Sequence, residues 1–144
     1  MKSKQQGFTL IEIMVVVVIL GMLIAIVAPN VLGNKDKAMV QKAIADINGL
    51  ESALEMYYLD NSQLPNTQQG LQALVEEPVP APRNYRQGGY IKRLPTDPWG
   101  NDYIYISPGE HGRYDLFTLG ADNQEGGEDL NADIGNWNIK DFQK

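Results

Sequence analysis

Residues 13–28, with the sequence IMVVVVILGMLIAIVA, contain no polar side chain. Extended back to Phe8, the apolar run has 21 residues and is interrupted only by Thr9 and Glu12. At about 1.5 Å per residue, a helix of this length spans about 30 Å, the thickness of a bilayer hydrocarbon core. The run is therefore predicted to be a membrane-spanning helix. A buried core helix is the weaker interpretation, because the remaining residues are too few to cover it on all sides.

The composition of the whole chain excludes several kinds of site. The 144 residues suffice for one compact domain. Twelve basic and 18 acidic residues leave a net charge of −6, which argues against a nucleic-acid partner. Without cysteine and with a single histidine, the chain has no thiolate chemistry, disulfide framework or His-cluster metal centre.

The segment before the apolar run, MKSKQQG at residues 1–7, is polar and carries Lys2 and Lys4. The positive-inside rule therefore predicts a cytoplasmic N-terminus and an outward-facing remainder. A carboxylate within a membrane helix is costly and usually marks function, so Glu12 is a candidate functional residue. The alternative is that Glu12 lies at headgroup depth and has no function.

A second helical pattern follows the membrane run. Pro29 and Gly33 predict a hinge at about residues 28–34. Apolar residues then recur at three- and four-residue spacing, at Val40, Ile44, Ile47, Leu50, Leu54 and Tyr57 or Tyr58. This pattern predicts an amphipathic helix that ends near Asp60 and packs its apolar stripe on a small sheet.

The C-terminal half predicts the sheet itself. Residues 64–98 are rich in proline and glycine and indicate an ordered connecting loop with a short helical turn at 67–77. Residues 103–107 and 114–118 are β-branched and aromatic runs joined by a five-residue loop, which is typical of a hairpin. The expected fold is α+β, a long N-terminal helix on a small antiparallel sheet. His111 lies in the hairpin loop, and we expect no catalytic role for it because no Ser, Cys or second His is placed to work with it.

Two acidic residues on the amphipathic helix need a basic partner. Glu51 and Glu55 lie four residues apart and repel each other by a few tenths of a kcal/mol, about 0.2–0.5. The segment 83–93 holds four basic residues and no acid. We therefore expect Lys92 or Arg93 of one subunit to meet Glu51 or Glu55 of the next. The alternative is a solvated helix face.

The stretch from residue 119 to 137, LGADNQEGGEDLNADIGNW, combines glycines with five acidic residues. Such a loop either binds a hard cation or is simply solvated. Calcium prefers several carboxylate and carbonyl oxygens on a loop that can wrap around it. A small domain without disulfides also needs another source of stability.

The string Gly7-Phe8-Thr9-Leu10-Ile11-Glu12 resembles the class III signal of type IV pilins and type II secretion pseudopilins. The resemblance covers nearly all of the chain, through Pro29, Asp60-Asn61-Ser62, Gly70–Leu74, Leu94-Pro95, Asp97-Pro98-Trp99-Gly100 and Asp133–Trp137. The DPWG turn, the acidic loop and the absence of a C-terminal cysteine pair favour the pseudopilins. The chain thus resembles the major pseudopilin family of the type II secretion system, also called general secretion pathway protein G.

This resemblance implies how the chain is processed and where it binds calcium. It implies that a prepilin peptidase cuts after Gly7 and methylates Phe8, and that Glu12 pairs with the new α-amino group of Phe8 in a neighbouring subunit. The implied domains are a leader (residues 1–7), a transmembrane half of the helix (8–34) and a periplasmic domain (35–144). The implied calcium ligands are the Leu119 and Gln124 carbonyls with Asp122 and Asp133. Many family members have an acid where this chain has Ala132, and Asp129 is its candidate replacement.

The implied function is structural rather than enzymatic. The implied fold is type IV pilin-like. Copies assemble in the bacterial inner membrane, with the N-terminus cytoplasmic and the C-terminal domain periplasmic, into a periplasmic homopolymer that drives export of folded proteins across the outer membrane. The implied partners are minor pseudopilins, the prepilin peptidase and an inner-membrane assembly platform. A type IV pilus subunit for adhesion, motility or DNA uptake is the alternative. A membrane-anchored glycosidase using two acids of the loop is a rival of another class, disfavoured because Trp137 is the one aromatic residue near those acids.

Overall fold

The computed structural model describes residues 7–143, without the side chains of residues 28–32. The predicted leader positions Lys2 and Lys4 lie outside the described residues. Helix α1 (Leu10–Asn61) has 52 residues and dominates the structure. Its backbone is helical through Pro29, so the chain is not interrupted at the hinge expected at residues 28–34. Proline removes only its own N–H donor, and the neighbouring hydrogen bonds of a long helix can persist around it.

The chain divides after Lys37 into two compact units. The described part of the first unit consists of residues 7–9 and the first half of α1. The second unit contains the second half of α1, three short strands and three 3₁₀ helices, Leu71–Leu74, Asp129–Asn131 and Ile139–Phe142. Residues 71–74 form the helical turn that the sequence predicts within the connecting loop.

The sheet has three antiparallel strands in the order β1 (Ile104–Ile106), β2 (Asp115–Thr118) and β3 (Ile134–Gly135). Strands β1 and β2 form the predicted hairpin, in which Tyr105 lies opposite Leu116. Strand β3 pairs with the other edge of β2, with Gly135 opposite Phe117. The acidic loop is therefore the connection between β2 and β3, so both of its ends are held in one sheet.

The second half of α1 packs on the sheet through the predicted apolar stripe. The buried helix residues include Ile44, Ile47, Leu50, Leu54 and Tyr57, and they share one core with Leu116 and Ile134 of the sheet. The structure also selects between the two adjacent tyrosines, because Tyr57 is 1% exposed and Tyr58 is 36% exposed. The predicted α+β fold is thus confirmed.

An aromatic cluster closes the core near the end of α1. The rings of Tyr57 and Tyr90 are 5.2 Å apart, and Tyr85 lies 5.5 Å from Tyr90. The Asn61 side chain donates to the Tyr90 hydroxyl at 2.8 Å, which ties the helix end to the connecting loop. Arg86 pairs with Asp60 at 3.1 Å. One basic residue of the segment 83–93 is thus engaged within its own chain.

Candidate functional site

The first half of α1 carries an apolar surface that none of the described residues covers. The window Leu10–Val27 has a mean hydropathy of 3.1, and none of it is buried within the chain. Its length and composition fit a membrane span. Exposed apolar side chains around the whole circumference of a helix require lipid or other protein as their surroundings.

Glu12 is the one charged residue in that window. Thr9 precedes the helix and accepts the Glu12 backbone N–H through its hydroxyl at 3.3 Å, in the position of an N-cap. Among residues 7–143, Glu12 forms no ion pair. Gly7 has open space around it, and Phe8 is exposed. The predicted cleavage site is therefore accessible and lies one helical turn before an unpaired carboxylate.

The acidic pair on the second half of α1 meets the hairpin of the same chain. Arg113 Nη2 lies 3.0 Å from Glu55 Oε2, and the Arg113 guanidinium lies 4.8 Å from the centre of the Tyr58 ring. The Tyr114 hydroxyl donates to Glu51 Oε1 at 3.4 Å. Burial raises the pKa of Tyr114, and the nearby Glu51 carboxylate raises it further, so the hydroxyl stays protonated as a donor.

The basic side chains expected to face Glu51 and Glu55 from another subunit do not pair with these carboxylates within residues 7–143. Lys92 and Arg93 are exposed, and within the described part of the chain neither forms an ion pair. Sequence analysis missed Arg113 because its contact with Glu55 spans 58 residues. The feature of the sequence that could have indicated this contact was the positive charge of Arg113, which stands next to Tyr114 in the hairpin.

The acidic loop between β2 and β3 is exposed over residues 121–129. Asp122 Oδ1 accepts the Gln124 N–H at 3.1 Å, which forms a tight turn, and Asp129 begins a 3₁₀ helix with a φ of +53°. Asp133 Oδ2 accepts the Gly126 N–H at 2.9 Å. The loop thus folds back on Asp133, and Asp129 is exposed like its neighbours in the loop.

One oxygen atom of the acidic loop is suited to binding a hard cation. Asp133 Oδ1 is buried and has no hydrogen-bond donor among the described residues. A buried carboxylate oxygen without a partner is costly, and a cation would satisfy it. In residues 7–143 no three His, Cys, Asp or Glu side chains form a metal-binding group. A cation here would therefore need backbone carbonyls, such as those of Leu119 and Gln124, in addition to carboxylates.

The hairpin loop packs against Trp137, which lies two residues after the end of β3. The rings of His111 and Trp137 stack with their centres 4.0 Å apart and their planes 5° apart. The indole of Trp137 also lies against Gly135, where a Cβ atom would be 2.4 Å from the ring. His111 Nδ1 lies 3.0 Å from Asp115 Oδ2. Burial opposes ionisation of Asp115, but hydrogen bonds from the His111 ring and from two backbone N–H groups hold its pKa below the ordinary value.

Two family descriptions match the chain. Residues 30–137 match the family described as type II secretion system, protein G. Residues 2–28 match the prokaryotic N-terminal methylation motif. The two matches follow one another along the chain and together cover both halves of α1 and the domain.

The chain is also similar to curated proteins over nearly its full length. It is 70% identical over 141 residues to type II secretion system core protein G of Vibrio cholerae, covering 97% of each chain. It is 59% identical over 144 residues to the protein of the same name from Aeromonas hydrophila, covering 99% of each chain.

A solved structure shares the fold. The crystal structure of the major pseudopilin from the type 2 secretion system of enterohaemorrhagic Escherichia coli matches with a TM-score of 0.66 and 55% identity, over 76% of this chain and 95% of that chain. These similarities support the pseudopilin interpretation and not the type IV pilus alternative. Because a family match covers most of the chain and the relatives align along nearly its whole length, the chain belongs to the type II secretion system protein G family.

Proposed function

We propose that this chain is the structural subunit of a periplasmic pseudopilus that drives export of folded proteins across the outer membrane. The observation that carries the proposal is the first half of α1, where no residue of Leu10–Val27 is buried and the one carboxylate forms no ion pair within residues 7–143. Lipid would surround this surface before assembly, and other copies of the helix would surround it in the fibre. The subunit acts by polymerising rather than by catalysis.

Processing would prepare the subunit for assembly. A prepilin peptidase cuts after the accessible Gly7, and Phe8 becomes the methylated N-terminus. The new α-amino group then neutralises Glu12 of a neighbouring subunit in the low-dielectric centre of the fibre. Before assembly, the chain spans the inner membrane once, with its N-terminus in the cytoplasm and residues 35–144 in the periplasm.

Contacts between domains would complete the fibre. Lys92 and Arg93 are exposed and are oriented by no ion pair within residues 7–143, so they are free to approach Glu51 or Glu55 of the next subunit. Within residues 7–143, the Glu51 side chain accepts one hydrogen bond, the 3.4 Å contact from the Tyr114 hydroxyl. Minor pseudopilins and an inner-membrane assembly platform are the further partners that such a fibre requires.

The functional test is a deletion of the gene with complementation by the wild-type chain. We expect exported enzymes to accumulate in the periplasm of the deletion strain and to return to the medium on complementation. Twitching motility serves as the control and should be unchanged. Normal export in the deletion strain would contradict the proposed function.

Calcium would stabilise the acidic loop. Asp133, through its unpaired Oδ1, and Asp122 would supply carboxylate oxygens, and Leu119 and Gln124 would supply carbonyls. Asp129, the first residue of a 3₁₀ helix, would be the further carboxylate in place of the acid missing at Ala132. A ligand that binds only the folded state stabilises it by about 2.7 kcal/mol at a hundredfold excess over its dissociation constant.

The calcium test compares melting of the full-length chain in detergent micelles with excess calcium and with excess chelator. Wild-type protein should melt at a lower temperature with chelator, and Asp133→Ala should remove the difference. Glu77→Gln, an acid outside the loop, should retain it. An unchanged wild-type melting temperature would leave the loop as solvated acid.

A further inference from the structure

Asp97 and Thr118 connect two parts of the chain that are 21 residues apart, and both side chains are buried. Asp97 belongs to the turn that precedes β1, and Thr118 is the last residue of β2. The Thr118 hydroxyl donates to Asp97 Oδ2 at 2.5 Å. The pair thus joins the turn to the point where the acidic loop begins.

The direction of each hydrogen bond at this pair is determined. Asp97 Oδ1 accepts the backbone N–H groups of Trp99 and Asn101 at 3.0 and 2.8 Å. Oδ2 accepts the one hydroxyl proton of Thr118. The Thr118 oxygen is then left as an acceptor, and it lies 3.3 Å from the backbone nitrogen of Gly120. A chain of hydrogen bonds therefore runs from the loop through Thr118 to a carboxylate anchored in its own turn.

Gly120 is the place where the two ends of the acidic loop touch. Its φ is +70°, and a Cβ atom there would lie 2.7 Å from the Leu130 carbonyl oxygen and 2.9 Å from that of Ala132. The neighbouring Ala121 N–H donates to the same Leu130 oxygen at 2.8 Å. Asp133 follows Ala132 directly in the sequence. The backbone position of Gly120 thus sets the spacing between the start of the loop and its carboxylate at the end.

We propose that Thr118 and Asp97 are positioning residues for calcium binding by the acidic loop. They hold Gly120, and through it they bring the Leu119 and Asp122 side of the loop to the Asp133 side before the cation binds. A prearranged loop loses less conformational freedom on binding, so the pair raises calcium affinity without supplying a ligand. This inference rests on the calcium binding proposed above.

The experiment measures calcium binding by calorimetry on the full-length chain in detergent micelles, with calcium as the only added ligand. Thr118→Val keeps the shape of the side chain but removes the hydroxyl, and we expect its dissociation constant to rise about tenfold or more. Thr118→Ser restores the hydroxyl and should stay within about threefold of wild type. Thr67→Val is the matched control, because within residues 7–143 the Thr67 hydroxyl bonds only the backbone of Ser107 after β1.

Melting under chelator separates positioning from general stability. Thr67→Val and Thr118→Val should both lower the melting temperature, but only the latter should weaken calcium binding. If Thr118→Val does not fold, Asp97→Asn removes one acceptor and takes its place. Wild-type affinity in Thr118→Val would overturn the positioning role alone, as would failure of both variants to fold. Absence of calcium binding by the wild-type chain would overturn the calcium proposal as well.

Discussion

The two halves of α1 belong to one helix but are surrounded differently. In the first half, the large apolar side chains of Leu10–Val27 are between 47% and 82% exposed. In the second half, Ile47 and Leu54 are completely buried against the sheet. The first half is apolar on every face, whereas the second is apolar on one face and charged or small on the other.

The two halves of this one helix therefore suit different surroundings, apolar for the first half and partly aqueous for the second. A helix that is apolar all round gains stability only when lipid or other copies surround it. An amphipathic helix with a sheet beneath it has a core of its own. Substitutions in the first half should therefore change assembly, and substitutions in the second half should change folding.

The largest expected effect is on the charged position in the first half. Glu12→Leu should leave membrane insertion intact, because the change makes the helix more apolar. It should reduce fibre yield about tenfold or more, since removing one partner of a buried charge pair costs about 3–5 kcal/mol. Sheared fibres are quantified by immunoblotting against the membrane fraction, and wild-type yield would leave Glu12 a passive headgroup residue.

A pair of matched leucine substitutions tests the contrast directly. Leu54→Ala should lower the free energy of unfolding of the domain by about 3 kcal/mol, because it opens a cavity in a fully buried site. Leu20→Ala, at a side chain that is 52% exposed, should change it by less than about 0.5 kcal/mol.

The Tyr and Trp bands in near-ultraviolet circular dichroism of the full chain in micelles report only on the domain, because every Tyr and Trp lies after residue 38. Equal losses for the two leucine variants would show that the first half of α1 contributes to the core of the domain.

A smaller effect is expected from the carboxylate beneath the hairpin loop. Because the pKa of Asp115 is lower in the folded state than in the unfolded state, Asp115 stabilises the fold above its unfolded pKa of about 3.9. That contribution should disappear as pH falls through the folded pKa. Asp115→Asn should therefore be less stable than wild type at pH 7 and should lose less stability on acidification. Parallel acid melting curves for the two proteins would contradict this role.

The smallest effect is expected on the exposed surface of the second half. Arg113→Gln removes the ion pair with Glu55, and both side chains are about half exposed. Such pairs contribute about 0–1 kcal/mol, so domain stability should fall only slightly and the loss should shrink in high salt.

Assembly provides the second measurement for this surface. Lys92→Glu should reduce fibre yield and Glu51→Lys should partly restore it, if Lys92 meets Glu51 between subunits. A double variant no better than either single variant would contradict the intersubunit pairing, whatever the role of Arg113.

Much of the fold could be predicted from patterns among residues that are close together in the sequence. The three- and four-residue spacing placed Leu54 in the core, and the end of α1 near Asp60 followed from turn-forming residues. The hairpin with Tyr105 opposite Leu116 followed from two β-branched runs and a five-residue loop. Each of these features depends on residues close in sequence, where backbone geometry limits the possibilities.

The sequence by itself determined that the chain has an apolar helix able to span a bilayer, an amphipathic continuation and a small antiparallel sheet, because each follows from a repeat or a turn. Only the tertiary structure decided that Glu55 meets Arg113, that His111 stacks on Trp137 and that Asp97 accepts the Thr118 hydroxyl. These contacts join distant segments, and no spacing along the chain distinguishes the right partner from the others. Their geometry arises when the core closes and brings the ends of separate loops together.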